Sequence, residues 1–343
     1  MKSALTLKEQ LQDRFRGVFL GAAVGSALGF PNAGSSRTFM RALGNEAMEG
    51  YLRHRSGYFP EGQHGASVQL LSLATRAVTR TGEINSMEIV DEWVPLWREN
   101  RIIERLPEVD SAMSRWLRQG NTARGCACAP GEDGAAAILC GVSSGLWSHD
   151  TPNQIMENTE ILTSITHEDS TVRAVNAALA TIIAHCLTHH DIVLGVVIDA
   201  AAEAAGKIDG TVSEALQKIP SMLTRNEDEA FLELAHSSDD SHQVERVGVE
   251  DRCLPVFLIA VHSWLRDPVN PNSVIRSCLQ SGGAVQLTAA IGGALVGACC
   301  GEAGLPARLV NGLLEGDELR KDADQLYDRQ QLERRRRCIE VII

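Results

Sequence analysis

Acid–base chemistry is the first function that the side chains of this sequence suggest. His64 titrates near neutral pH, so it can act as a general acid or a general base. Glu61 precedes it by three residues, and a second carboxyl pair, Glu132 and Asp133, lies in a glycine-rich segment. Two carboxyls can supply one acid and one base to the same bond. The alternative to a catalytic role is a structural one, because acidic residues in such segments commonly shape turns or cap helices.

Segment 281–291, Ser-Gly-Gly-Ala-Val-Gln-Leu-Thr-Ala-Ala-Ile, has the form of a ligand-binding helix start. Two glycines that lead into a helix can leave backbone N–H groups free for an anion, or hold side chains over a metal. At the start of this helix, where charged side chains would be expected, residues 284–287 are nevertheless the uncharged Ala-Val-Gln-Leu. We therefore predict ligand contacts from Gly283 and Gln286 and no ionised ligand group in this segment.

Ser67 and His167 are two further candidates for ligand binding. The Ser67 hydroxyl can bond a ligand hydroxyl or phosphate, although a serine in the first turn of a helix more often bonds to the local backbone. His167 can orient a ligand, and the alternative is a structural histidine whose hydrogen bonds are satisfied.

The spacing of cysteines and histidines does not predict a metal site. Cys126 and Cys128 form the only cysteine pair with one residue between them, and no second such pair stands at ligand spacing. Residues 189–191, His-His-Asp, resemble a metal-ligand run by composition, but they follow a predicted helix, where a cap is the simpler interpretation. The odd number of cysteines favours reduced, buried thiols.

Helices must position these residues, because nearly every long segment has helical apolar periodicity and none alternates like a strand. Glycines recur at four-residue spacing in segment 13–31, which allows a neighbouring helix to approach closely. We predict one all-α domain over residues 1–343, with a core at about 13–314 and a charged C-terminal helix and tail at 315–343. Segment 225–247 is predicted to be an exposed insertion or a weak helix. The predicted core helices include 7–28, 65–79, 134–146, 170–188, 251–265 and 288–302.

Charge and hydropathy exclude several classes of partner. The formal net charge is −12, which argues against a nucleic-acid-binding surface. No apolar run reaches the ~18 residues that a membrane span needs. The N-terminus lacks the basic and apolar regions of a signal peptide, so we expect a cytoplasmic protein. The candidate pocket residues lead us to expect a small-molecule ligand. Whether the protein has a protein partner cannot be read from the sequence.

Four separated segments occur in a fixed order: 13–31, 62–74, 164–170 and 281–291. In their order and context they resemble the ADP-ribosylglycohydrolase family, which includes the dinitrogenase-reductase-activating glycohydrolases. The resemblance covers about residues 13–314. It implies an all-helical fold and a binuclear magnesium centre that cleaves the glycosidic bond of ADP-ribosylated groups. Segment 130–134 resembles the family's Gly-Asn-Gly loop beside the substrate.

The carboxylates of that centre do not carry over to this chain. The aspartate of the family's Gly-Asp-Ala-Leu-Gly motif falls on Ser26, and the glutamate that follows falls on Ala33. The Thr-Asp-Asp-Thr motif falls on His64-Gly65-Ala66-Ser67, and Gly-Gly-Asp-x-Asp-Thr falls on residues 282–287. Magnesium needs hard oxygen ligands, and two such ions repel each other unless anionic groups lie between them. We predict no binuclear magnesium site and no other cofactor.

Two functions fit this pattern. The first is a metal-independent enzyme that acts on a glycosidic, nucleotide-sugar or other small-molecule substrate in the inherited pocket, and we favour it because polar groups surround that pocket. The second is a pseudoenzyme with a binding, regulatory or structural role. A third function, that of an ordinary magnesium-dependent ADP-ribosyl hydrolase, would require that this alignment of the chain with the family's motifs be wrong. Convergence of His64, Asp133 and Gln286 on one cavity would favour the enzyme. Closure of that cavity by Ala66, Val285 and Leu287 would favour the pseudoenzyme.

Overall fold

The computed structural model describes residues 6–119, 132–189, 192–235 and 247–340, and their regular structure is helical. Short 3-10 turns and a few isolated β-bridges complete the described part of the chain. The predicted all-α fold is confirmed. The α-helices are α1 Leu7–Gly29, α2 Arg37–Leu43, α3 Ala66–Thr81, α4 Ser86–Arg98, α5 Pro107–Gln119, α6 Cys140–Trp147, α7 Pro152–Thr163, α8 Ser170–Thr188, α9 Leu194–Gly206, α10 Gly210–Met222, α11 Glu227–Ala235, α12 Cys253–Arg266, α13 Pro271–Leu279, α14 Val285–Gly304, α15 Ala307–Asn311 and α16 Gly316–Glu340.

Helices α1 and α14 form the centre of the fold and run antiparallel in direct backbone contact. A Cβ atom built on Gly21 would lie 2.1 Å from the carbonyl oxygen of Gly293, and one on Gly25 would lie 1.9 Å from that of Ala289. Only glycine permits such an approach, so the predicted role of the four-residue glycine spacing is confirmed. The contact brings the end of α1 onto the start of α14.

Helices α8 and α12 are buried around this central pair. Their apolar residues join those of α1 and α14 in one continuous hydrophobic core. By length and composition α8 and α14 could each cross a membrane, but 72% of the apolar window of each is buried inside the protein. In this fold both are core helices.

The C-terminal helix α16 packs on the core over residues 319–330. Leu319, Leu326 and Tyr327 are buried, and the Tyr327 ring meets Phe15 edge-on with 5.4 Å between the ring centroids. Arg16 and Asp324 form an ion pair at 2.6 Å between α1 and α16. The core, predicted to end near residue 314, therefore extends into this charged helix.

Several predicted helix bounds differ from the structure. Segment 134–146 is broken: a 3-10 turn at Ala135–Ala137 precedes α6, and Gly134 lies in extended backbone. The segment predicted to be weakly helical holds a regular helix, α11, while residues 236–246 lie outside the described part. Helix α2, which is only seven residues long, was not predicted.

Candidate functional site

The ends of three helices meet where the family's metal motifs would converge. The Ser26 hydroxyl, near the end of α1, accepts a hydrogen bond of 3.0 Å from the N–H of Gly65, which caps α3. A Cβ atom on Gly29 would lie 2.5 Å from Cα of Gln286 at the start of α14. The structure thus brings together the three segments that the sequence placed around one pocket.

A carboxylate that the sequence analysis missed occupies this junction. Glu104 lies between α4 and α5, and its Oε1 accepts hydrogen bonds from the Gln286 amide at 2.7 Å and from the N–H of Ala66 at 3.3 Å. In the first turn of α3, the Ala66 N–H is the group that would face an anionic ligand. It is bonded instead to the Glu104 side chain.

Side chains also close the junction sterically. A Cβ atom on Gly65 would lie 1.7 Å from Nε2 of Gln286, so the amide fills the space directly over the start of α3. Ala66 and Val285 are 0% exposed, and Leu287 is 5% exposed. Of the residues at the family's acid positions, Ser26, Gly65, Ala66 and Gln286 are buried, Ala284 is partly buried and Ala33 is exposed.

The glycine turn before α14 binds the protein's own backbone. The Gly283 N–H donates to the carbonyl of Ser35 at 2.8 Å, and the Ala284 N–H donates to that of Val249 at 2.8 Å. Gly283 has φ +63°, and a Cβ atom there would lie 2.0 Å from the Val249 oxygen. Both N–H groups are thus bonded within the chain, and Gly283 serves a close backbone contact.

His64 is buried and faces away from Gln286. Its Nδ1 lies 3.1 Å from the Gly65 carbonyl, and its Nε2 lies 3.4 Å from Oε2 of Glu315 without the alignment of a hydrogen bond. The neighbouring His64 ring lowers the pKa of the Glu315 carboxyl. Both residues line a polar cavity of about 240 Å³ with Arg76, and neither Asp133 nor Gln286 lines it. The structure does not bring His64, Asp133 and Gln286 into that cavity together.

None of the other predicted acid–base residues lines the cavity of His64. The Asp133 carboxylate forms an ion pair with Arg252 at 2.6 Å, and its backbone carbonyl accepts a bond from Cys253 at 2.7 Å. Glu132 and Glu61 are exposed. Within the described residues the predicted catalytic set is therefore dispersed, although its roles stay a prediction. Pro130 and Gly131 of the same loop, together with Cys126, Cys128, His190 and Asp191, lie outside the described part.

Two further carboxyls that were not predicted, Glu108 and Asp251, surround Gly134. A Cβ atom on Gly134 would lie 1.8 Å from Oε1 of Glu108, and Asp251 accepts a hydrogen bond from the N–H of Ala135. Partial burial raises the pKa of both carboxyls, and Glu104 raises that of Asp251 further. Only their contact with the glycine loop identifies them, since no motif in the sequence marks either residue.

Ser67 and His167 are both buried. The Ser67 hydroxyl has no hydrogen-bond partner among the described residues and lines a narrow apolar cavity of about 10 Å³, room for one water molecule at most. Nδ1 of His167 lies 2.8 Å from Oγ1 of Thr166. Burial lowers the pKa of His167 to about 4, so the ring is neutral at pH 7.

Comparisons with known proteins agree on one family and one fold. Residues 7–336 match the family described as ADP-ribosylglycohydrolase. A protein of Archaeoglobus fulgidus, described as an uncharacterized protein, is 24% identical over 324 residues, which are 93% of this chain and 97% of that protein. A solved structure titled "ADP-ribosylglycohydrolase-related protein complex" is similar with a TM-score of 0.69 and 16% identity, over 93% of this chain and 99% of the other. The structural likeness shows a shared fold.

Proposed function

The chain belongs to the ADP-ribosylglycohydrolase family, and from that premise we propose that it is a pseudoenzyme of the family. In this proposal the inherited metal position serves as a structural junction, and the protein acts by binding. Function resides in a site rather than in a fold, so the residues at this junction decide between catalysis and its loss.

The hydrogen bonds of Glu104 carry the proposal. They occupy both the Gln286 amide and the α3 start with groups of the chain itself. A magnesium ion would need several anionic oxygens here, while the buried neighbours Ala66 and Val285 offer none. The first hypothesis, metal-independent catalysis by His64 with Glu61, Glu132 and Asp133, loses support for two reasons. Arg252 pairs with Asp133, and none of the three carboxyls lines the cavity of His64.

Thermal unfolding with Mg²⁺ and ADP-ribose tests the proposal. A ligand that binds only the folded state raises the melting temperature with its concentration. We expect no rise with Mg²⁺, alone or with ADP-ribose, and no release of ADP-ribose from an ADP-ribosylated protein substrate. A rise that needs both Mg²⁺ and ADP-ribose would overturn the proposal.

A variant with the carboxylates restored serves as the matched control. It combines five substitutions at the family's acid positions and should gain Mg²⁺-dependent stability: Ser26→Asp, Gly65→Asp, Ala66→Asp, Ala284→Asp and Gln286→Asp. If it folds and gains this dependence, the assay can detect the metal site that the natural chain lacks.

One observation favours the metal-independent enzyme as a second candidate function. Glu108 and Asp251 have raised pKa values beside the loop that resembles the family's substrate loop, as a general acid would require. With EDTA present, hydrolysis of a nucleotide sugar that falls about 100-fold or more in both Glu108→Gln and Asp251→Asn would establish this candidate. Equal rates in the parent and both variants would exclude it.

A further inference from the structure

A second polar pocket lies beside the Gly282–Gly283 turn, between α2, α11, α12 and α13. Its volume is about 40 Å³, several times the space that one water molecule needs. Polar side chains dominate its wall: Arg37, Arg41, His262, Ser263, Ser277 and Gln280. None of these residues was singled out by the sequence.

One buried and one exposed guanidinium group contribute positive charge to this pocket. Arg37 is 9% exposed, lies over the Phe231 ring at 4.0 Å and donates to Oδ1 of Asp228 at 2.6 Å. Arg41 donates to the same oxygen at 2.6 Å, so two guanidinium groups share one carboxylate oxygen. They lower the pKa of Asp228. The Nε of Arg37 is buried with no acceptor among the described residues, which leaves a cationic donor unpaired.

The opposite wall offers neutral hydrogen-bonding groups. The hydroxyls of Ser263 and Ser277 lie 3.1 Å apart, and each retains a further donor or acceptor position. His262 is 5% exposed, and its Nε2 has no hydrogen-bond partner in the described part of the chain. The lining carboxylate, Glu227, is exposed to solvent and accepts weakly from Ser277 at 3.5 Å.

We propose that this pocket binds a small oxyanion: phosphate, or the phosphoryl group of a small metabolite. Arg37 and Arg41 supply the charge, because guanidinium groups match phosphate oxygens in geometry. The two serines and His262 complete the hydrogen bonds on the other side. The proposal goes beyond the pseudoenzyme role and does not depend on it, since the pocket shares no residue with the Glu104 junction.

Burial lowers the pKa of His262, with Arg266 on the same helix adding to the effect and Glu227 opposing it. The other charged groups lining the pocket are Arg37 and Arg41. The unprotonated nitrogen of a neutral His262 ring can accept a hydrogen bond from a P–OH group, and hydrogen phosphate has one such group.

Calorimetric titration of the full chain with inorganic phosphate at pH 7 tests the site. Ser277→Ala and Arg41→Gln each remove one proposed contact at little structural risk, and each should weaken phosphate binding about tenfold, the effect of losing one hydrogen bond to a charged group. Ser221→Ala and Arg225→Gln are matched controls on exposed positions outside the pocket and should leave the affinity unchanged.

Two results would overturn the site: no phosphate binding by the parent chain, or equal affinity in the parent and the pocket variants. Unfolding curves without phosphate confirm that each variant is folded. Ribose 5-phosphate then distinguishes the source of the oxyanion. Competition with phosphate would identify a phosphoryl metabolite, binding of phosphate alone would identify the free ion, and either result supports the site.

Discussion

At the scale of single residues, Glu104 joins the starts of α3 and α14 through one carboxylate oxygen. Its carboxylate meets the backbone of α3 and the side chain of Gln286, groups 38 and 182 residues away in sequence. No local pattern marks such a residue, because its role depends on which helix ends meet in the folded chain. The presence of Glu104 at this junction could therefore not be predicted from the sequence.

Removal of Glu104 should destabilise the junction. Glu104→Ala leaves the Ala66 N–H and the Gln286 amide without their shared acceptor, so we expect the free energy of unfolding to fall by about 1–2 kcal/mol. Urea denaturation of the parent, Glu104→Ala, Gln286→Ala and the double variant measures this loss and the coupling between the two side chains.

The coupling energy should be about 1 kcal/mol, since the residues are in direct contact. Additive effects of the two substitutions would show that the hydrogen bond contributes nothing to the junction. Glu104→Gln is the matched control, because it keeps an acceptor oxygen and should lose less stability than Glu104→Ala.

At the scale of the helices, the backbone contact between α1 and α14 sets the geometry of the site. Gly25→Ala would place a methyl group 1.9 Å from the Ala289 carbonyl oxygen, and neither backbone can move without separating the two helices. We expect the free energy of unfolding to fall by about 3 kcal/mol or more.

Gly195→Ala provides the control for glycine replacement in a helix. A Cβ atom at Gly195, in the first turn of α9, has no neighbour within 4 Å. This variant should gain about 0.5–1 kcal/mol from the lower entropy of the unfolded chain. Equal destabilisation in both variants would contradict a role for close packing at Gly25.

The sequence predicted long helices well and short or irregular elements poorly, for a physical reason. Helix α8 was predicted with its observed bounds because Asp169 caps it, accepting hydrogen bonds from Thr171 and Val172 at 2.9 and 3.1 Å. Segment 134–146 is rich in alanine and apolar residues and was predicted as one helix. Tertiary contacts of Gly134 with Glu108 and Arg252 override that local preference.

At the scale of the whole molecule, titratable groups that are desolvated in the folded state make folding stability depend on pH in opposite directions. The pKa of His167 in the folded state, about 4, lies below its ordinary value. Between pH 6.5 and 4 the unfolded state therefore binds more protons, and stability falls as the pH falls. Glu108 and Asp251 have raised pKa values, so they oppose this loss.

Replacement of His167 should flatten the acid limb of the stability curve. Between pH 7 and 4 we expect His167→Gln to lose about 2–3 kcal/mol less than the parent chain. Urea denaturation at successive pH values measures the difference. His189→Gln, at an exposed position, is the control. Parallel curves for parent and His167→Gln would contradict burial of a neutral imidazole.

The contact between Gly65 and Gln286 also has an evolutionary consequence. Because a Cβ atom at residue 65 would overlap the Gln286 amide, an aspartate cannot return there while the glutamine remains. Conversely, exchange of the glutamine alone would leave Glu104 without one of its two donors. We therefore expect either substitution alone to give a less stable protein than the parent chain. The family's aspartates would therefore be harder to introduce into this chain one at a time than together.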